Sequence, residues 1–159
     1  MPQPIILPPC HNDRVPAATH PWHHRVDIQT RFNDYDLFRH ANNTSYLQYF
    51  DIAKISYFEA VLGQKVDHED IGAVIVNINV NFYSPAAFGE SLCVVTACTG
   101  ISRHSFTLEQ RVVDPSTGDV KCGATVVMAT FDPETMTSPE LSQRWADALQ
   151  AFESARLTH

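Results

Sequence analysis

A helical repeat from Asn43 to Leu62 is the feature that most limits how this chain can fold. Tyr46, Phe50, Ala53, Tyr57 and Val61 recur every three or four residues as one apolar stripe, and Leu47 and Phe58 widen it. Gly63 follows where a left-handed residue would end the helix. A helix of this length spans roughly 30 Å, enough to cross a sheet. The rest of the sequence supplies that sheet. "HRVDIQTRF", at 24 to 32, alternates in the manner of a strand ahead of the helix, and four strand-like runs come after it. They are "GAVIVNINVNFYS", "SLCVVTACTGIS", "HSFTLEQRVVD" and "VKCGATVVMATF", with the turn residues "PSTGD" joining the last two. In "SPELSQRWADALQAFES", Ser138 reads as an N-cap, Pro139 as the first helical residue, and Leu141, Trp145, Ala148, Leu149 and Phe152 as an apolar face. The order predicts an α+β fold, a mostly antiparallel five-stranded sheet around one long helix with a short C-terminal helix.

Val76, Ile78, Val80 and Phe82 are expected to pack on the long helix, leaving Asn77, Asn79 and Asn81 on the other face of their strand. The amides then belong to a subunit interface, a polar pocket or an exposed face. The 159 residues suit one domain, read as 23 to 159, preceded by an extended or mobile proline-rich arm at 1 to 22.

A net charge of −7 argues against nucleic acid as the main ligand, because phosphate binding relies on Lys and Arg. No apolar run approaches the roughly 18 residues of a membrane span. The first residues lack the basic start and apolar block of a secretory signal, so a cytoplasmic location is expected. Cys10, Cys93, Cys98 and Cys122 show no metal-finger spacing and read as free thiols. His20, His23 and His24 sit together, but Pro21 breaks helical spacing and no local Cys or carboxylate completes a metal site.

Polar groups crowd the start of the long helix in the pattern Asp36-x-x-x-His40-x-Asn42-Asn43-x-x-Tyr46. A helix start offers unpaired N–H groups and the positive end of the helix dipole, which stabilise the oxyanion of a tetrahedral intermediate. Asp36 can act there as general base toward water or as nucleophile toward an acyl carbon. His40 can position substrate or water, and Asn43 can add a donor. The plainer reading is that Asn42, Asn43 or Thr44 only cap the helix. Lys54, on the helix itself, reads as a solvent-facing charge.

The whole string, running into "YLQYFDIAKISYF", resembles the acyl-CoA thioesterases of the 4-hydroxybenzoyl-CoA thioesterase type, which have the hotdog fold. "VNINVNFYSPAAFGESL" and "GISRHSFTLEQRV" are similar to that family's central strand and next hairpin, so the likeness spans about residues 24 to 132. The resemblance implies hydrolysis of an acyl-CoA to a carboxylic acid and coenzyme A, with no cofactor beyond the coenzyme A of the substrate. It makes Asp36 the catalytic carboxylate and the Asn43 N–H the oxyanion donor, with His40, Asn42 and Tyr46 in support. Asp34 becomes a neighbour whose charge can raise the pKa of Asp36. Arg103, His104 and Ser105 fall where the coenzyme A phosphates would dock, although a solvated hairpin tip is the bland alternative. Arg39 departs from the pattern, since the family often has Gly before the matching His. A homodimer or homotetramer with sites at the subunit boundary is implied. The rivals are a hotdog dehydratase acting on hydroxyacyl thioesters and a non-catalytic acyl-thioester-binding protein.

Overall fold

The computed structural model describes residues 2–155 and 157, with His68 as backbone only, so the expected bounds 1 to 22 and 23 to 159 run past the described residues. Five strands form one antiparallel sheet: β1 (His24–Ile28), β2 (Ala73–Phe82), β3 (Leu92–Ile101), β4 (Ser105–Val113) and β5 (Val120–Thr130). Their order across the sheet is β1-β3-β4-β5-β2. The helices are α1 (Asn43–Leu62), the short α2 (His68–Ile71) and α3 (Gln143–Glu153).

α1 has the bounds expected from its pattern and ends at Gly63, whose φ of 68° is the left-handed conformation that glycine adopts freely. Tyr46, Tyr49, Phe50, Ala53, Tyr57 and Phe58 are buried against one face of the sheet, with Val94, Phe106, Leu108, Val112 and Val126 opposite them. Leu47 does not join this stripe; it is 38% exposed. Lys54 corrects the expectation of a solvent-facing charge, because it is only 5% exposed. Its ammonium holds Asp51 at 2.9 Å, while its stem lines an apolar hollow with Ile55, Phe58 and Met128.

β3 is buried along nearly its whole length, and its alternation explains why. Leu92, Val94 and Cys98 face α1, while Cys93, Val95 and Ala97 face the opposite side. That second face is covered by the N-terminal segment. Residues 2–22 contain no helix or strand, yet Ile5, Leu7, Cys10 and Val15 pack on Trp22, Cys93, Val95, Val113 and Val120.

The expectation for β2 fails in part. Val76, Ile78 and Phe82 are 58%, 39% and 46% exposed, and only Val80 packs on the core. β2 lies at the sheet edge, where one flank has no neighbouring strand, and its register shifts between Ile75 and Asn77. Asn77, Asn79 and Asn81 are exposed in the single chain.

α3 starts four residues later than expected. Its N-cap is Ser142, whose Oγ accepts from the Trp145 N–H at 3.2 Å, while the Ser138 hydroxyl instead meets that of Thr130 at 3.0 Å. Trp145 and Leu149 are buried, with Trp145 against Phe58 and Phe106. Glu153 anchors the far end of α3, accepting from the Tyr57 hydroxyl at 2.5 Å and the Cys98 N–H at 2.8 Å.

Candidate active site

The loop from Arg31 to Asn42 is held by a buried carboxylate. Asp34 is 2% exposed and accepts from the Arg31 N–H, the Arg31 guanidinium and the Tyr49 hydroxyl, each at 2.8–3.1 Å. Burial alone would push its pKa up, but these donors outweigh it and the group lies below the ordinary value. Its backbone carbonyl takes the Asn42 N–H at 2.7 Å and the Ser45 hydroxyl at 3.0 Å. Asp34 therefore anchors the loop to α1, and its charge is spent on Arg31 and Tyr49.

Beyond Asp34 the chain makes a tight turn. Asp36 Oδ1 accepts from the Phe38 N–H at 2.9 Å, the Arg39 N–H bonds the Asp36 carbonyl at 3.0 Å, and the Asp36 N–H bonds the His40 carbonyl at 3.1 Å. Arg39, which replaces the glycine of the resembling pattern, has a φ of 64°. The left-handed turn is thus made with a side chain that disfavours it. His40 bridges Ala87, and the Ala41 N–H bonds the Ala86 carbonyl at 2.8 Å.

Asn42 is the N-cap of α1: its Oδ1 accepts from the Thr44 N–H and the Thr44 hydroxyl, both at 3.0 Å. The Ser45 N–H goes to the Asn42 carbonyl at 2.9 Å. Among the described residues nothing accepts from the Asn43 N–H. The capping role therefore falls to Asn42 and not to Asn43. Asn42 caps, and Asn43 keeps a free donor at the positive end of a 20-residue helix.

Asp36, His40, Asn43 and Tyr46 come together in a cleft of about 330 Å³, with Phe38, Ala41 and Phe82–Pro85 as its other walls. One Asp36 oxygen is fixed by the turn and the other has no donor among the described residues. Tyr46 is buried, and its hydroxyl accepts from the Ala86 N–H at 3.2 Å, so it pins the opposite wall. Burial raises its pKa.

Sequence reasoning missed that opposite wall. Phe82, Tyr83, Ser84 and Pro85 arrive from the end of β2, held by Lys121 at the start of β5. The Lys121 ammonium, 4% exposed, reaches Glu90 and Asp119 at 2.9 Å and the Pro85 carbonyl at 3.2 Å. Asp119 also accepts from the Ser84 hydroxyl at 2.9 Å. Burial opposes the charge on Lys121, and the two carboxylates outweigh it, raising its pKa. The available signal was a lysine inside an otherwise apolar strand run, which demands nearby carboxylates.

Arg103, His104 and Ser105 are not brought to this cleft within one chain. Ser105 lies opposite Ala129, whereas Phe82 lies opposite Cys122, so the turn and the cleft sit at opposite ends of β5. Seven residues of strand separate them by roughly 23 Å. There Arg103 pairs with Glu140, the His104 Nδ1 lies 3.0 Å from the Pro139 carbonyl, and the Ser105 hydroxyl meets that of Ser102 at 2.6 Å. The three N-terminal histidines also separate: His20 goes to Glu109, His23 to Glu153 and His24 to Ser56. Among the described residues no group of three His, Cys, Asp or Glu side chains is placed to hold a metal ion.

Comparison with known proteins places the fold and the family. The chain is 24% identical over 127 residues to the long-chain acyl-CoA thioesterase FadM of Escherichia coli (strain K12), a match covering 79% of this chain and 96% of that protein. A thioesterase from Thermus thermophilus, solved with coenzyme A and zinc, superposes with a TM-score of 0.76 at 23% identity, over 86% of this chain and 98% of its own. A DHNA-CoA thioesterase from Staphylococcus aureus gives a TM-score of 0.71 at 18% identity, over 82% and 91% of the two chains. The fold is the hotdog fold. The sequence model of the thioesterase-like superfamily matches residues 30–151, which include the whole of the cleft, and the chain belongs to that superfamily.

Proposed function

We propose that this protein is an acyl-CoA thioesterase, with Asp36 as its catalytic carboxylate and the Asn43 N–H as its oxyanion donor. One observation carries the reading: a carboxylate and a helix-start N–H share a cleft, and among the described residues one carboxylate oxygen and the N–H have no partner. The thioester carbonyl oxygen points at Asn43, where the helix dipole and the N–H stabilise charge as the carbon becomes tetrahedral. As general base, Asp36 takes a proton from the attacking water. As nucleophile, it attacks the carbon itself, and water then hydrolyses the acyl-aspartyl anhydride. On either route the C–S bond breaks, the acid stays with the water oxygen, and the thiolate leaves to be protonated. No cofactor takes part, and coenzyme A enters with the substrate.

The phosphates of coenzyme A need cations that the walls of one chain's cleft do not offer. β2 is a ten-residue edge strand with exposed Val74, Ile75, Val76, Ile78 and Phe82. Antiparallel pairing of two β2 edges about a two-fold axis covers it. The same operation sets the Ala73 end of one β2 beside the Phe82 end of the other. The partner's far-end turn, with its Arg103, His104 and Ser105 equivalents, then lies at the end of the joint sheet that holds this cleft. Two sites per homodimer follow, each made by both copies. No described helix is long and apolar enough to cross a membrane. Cys93, Cys98 and Cys122 are buried and free, which suits a reducing cytoplasm.

Thiol release across a panel of acyl-CoAs tests the reading. The wild type is expected to turn over, and Asp36→Asn should lower kcat by about 10²-fold or more with the thermal midpoint unchanged. Near-wild-type turnover by Asp36→Asn would remove Asp36 from the chemistry.

A further inference from the structure

The N-terminal segment does more than cover apolar residues. It carries six prolines, at 2, 4, 8, 9, 16 and 21, which keep it from adding to the sheet as a strand and lower the entropy lost on docking. It is tied down by specific bonds along its length. The Ile5 N–H bonds the Trp22 carbonyl at 2.6 Å. The Arg111 guanidinium donates to the Pro16 carbonyl at 2.7 Å and lies over the Trp22 ring. His20 meets Glu109 at 2.8 Å. A Cβ on Gly118 would collide with the Pro8 carbonyl, so the segment crosses the β4–β5 turn in direct backbone contact.

Its polar tip reaches one acceptor on the sheet. The Arg14 guanidinium and the Asn12 side-chain amide, the latter at 3.4 Å, both donate to the carbonyl of Tyr83. The Asn12 Oδ1 in turn accepts from the Arg14 N–H at 3.0 Å, which holds the two donors together. Tyr83 is the first residue past β2, and Tyr83–Pro85 form the cleft wall opposite Asp36 and Asn43. On its other side this stretch is held by the Tyr83 and Ser84 N–H groups, which both bond the Lys121 carbonyl at 2.9 and 3.2 Å. The end of an edge strand has few bonds of its own. Here its outward carbonyl is taken up by a segment some seventy residues earlier in the chain.

We propose that residues 5–22 form a built-in strap, and that Asn12 and Arg14 are positioning residues for the cleft: by holding the Tyr83 carbonyl they set the distance between the Tyr83–Pro85 wall and the Asp36 loop. Neither side chain lines the cleft. They act through the backbone of its wall, so their loss loosens substrate placement while the Asp36–Asn43 constellation stays intact. The kinetic part of the proposal rests on the thioesterase reading; the coupling of strap to wall does not.

The full-length protein with Arg14→Ala, Asn12→Ala/Arg14→Ala and Arg14→Lys tests it, read by amide hydrogen exchange and by thiol-release kinetics. Arg14 is exposed, so the variants should fold with an unchanged thermal midpoint. In the two alanine variants the Tyr83 and Ser84 amides should exchange about 10-fold faster, while those of α1 and the β3–β4 ladder keep their rates. KM for acyl-CoA should rise about 5-fold with kcat altered less, and Arg14→Lys should restore much of both effects. Unchanged exchange at Tyr83 and Ser84 overturns the strap. Faster exchange with unchanged KM in an active enzyme overturns the positioning role. If the wild type hydrolyses no acyl-CoA, the thioesterase reading falls, and faster exchange at the wall still supports the coupling.

Discussion

Arg39 holds a φ of 64° in the turn that carries Asp36, a conformation in which a Cβ crowds the backbone. The left-handed region costs an L-residue about 1–2 kcal/mol relative to its usual regions. The turn enforces it through the Asp36–His40 and Asp36–Arg39 backbone bonds and the bridges of Tyr35 to Ala41 and His40 to Ala87. The guanidinium is exposed and has no partner among the described residues, so the side chain returns nothing to the fold. Arg39→Gly should therefore raise stability by about 1 kcal/mol, a rise of roughly 2–4 °C in thermal midpoint, after the greater freedom of glycine in the unfolded chain is counted. Differential scanning calorimetry reads this directly. A lower midpoint would mean that the arginine side chain makes a stabilising contact, such as one with a second copy.

At the scale of elements, β1 and α1 meet through a histidine that burial keeps neutral. His24 is 7% exposed, its Nε2 lies 3.0 Å from the Ser56 hydroxyl, and its Nδ1 has no partner among the described residues. Desolvation pushes its pKa down to about 4. In the unfolded chain the same ring takes up a proton below about 6.5. The unfolded state thus binds more protons between pH 6.5 and 4, and stability falls as pH drops through that window. The loss should approach about 3 kcal/mol at the acid end, or roughly 6–10 °C in midpoint. Nearby His20 has the opposite sense: Glu109 raises its pKa, so its contribution is fully present below pH 6.5 and is lost as pH rises through the folded value. His24→Gln should flatten the fall between pH 6.5 and 4 and leave the neutral side unaltered. Parallel midpoint curves for variant and wild type would show that another group controls the acid limb.

For the whole molecule the decisive feature is a sheet covered on both faces over β3 and β4 and left open along β2. α1 covers one face and the N-terminal segment the other, whereas β2 presents a long apolar edge with no Pro or Lys to blunt it. The proposed homodimer covers this edge with a second copy of the chain, and in that proposal the far-end placement of Arg103–Ser105 completes the site. Sedimentation at several protein concentrations should show a dimer for the wild type. Val76→Lys/Ile78→Lys should shift it toward monomer, with acyl-CoA hydrolysis lost in parallel. A fully active monomer would refute a site shared between copies.

What the sequence determined by itself was the part governed by local periodicity and local hydrogen bonding. The stripe from Tyr46 to Val61 set α1 to the residue, and the alternating runs set the five strands to within a few residues. The Asp36–Asn43 string placed one wall of the cleft, because its residues meet across a single turn. Where a local pattern had two solutions, the tertiary structure chose. Ser138 and Ser142 are both competent caps, and Thr130 took the hydroxyl of the first. Asn42 and Asn43 are both competent caps, and folding made Asn42 the one that accepts from Thr44. The second cleft wall, the buried Lys121 and the strap over Tyr83 depend on residues far apart in the chain becoming neighbours, Arg14 and Tyr83 among them. No period in a sequence encodes such neighbours, since they arise only when strand order and the hand of packing bring the end of one edge strand between the start of another and a proline-rich segment.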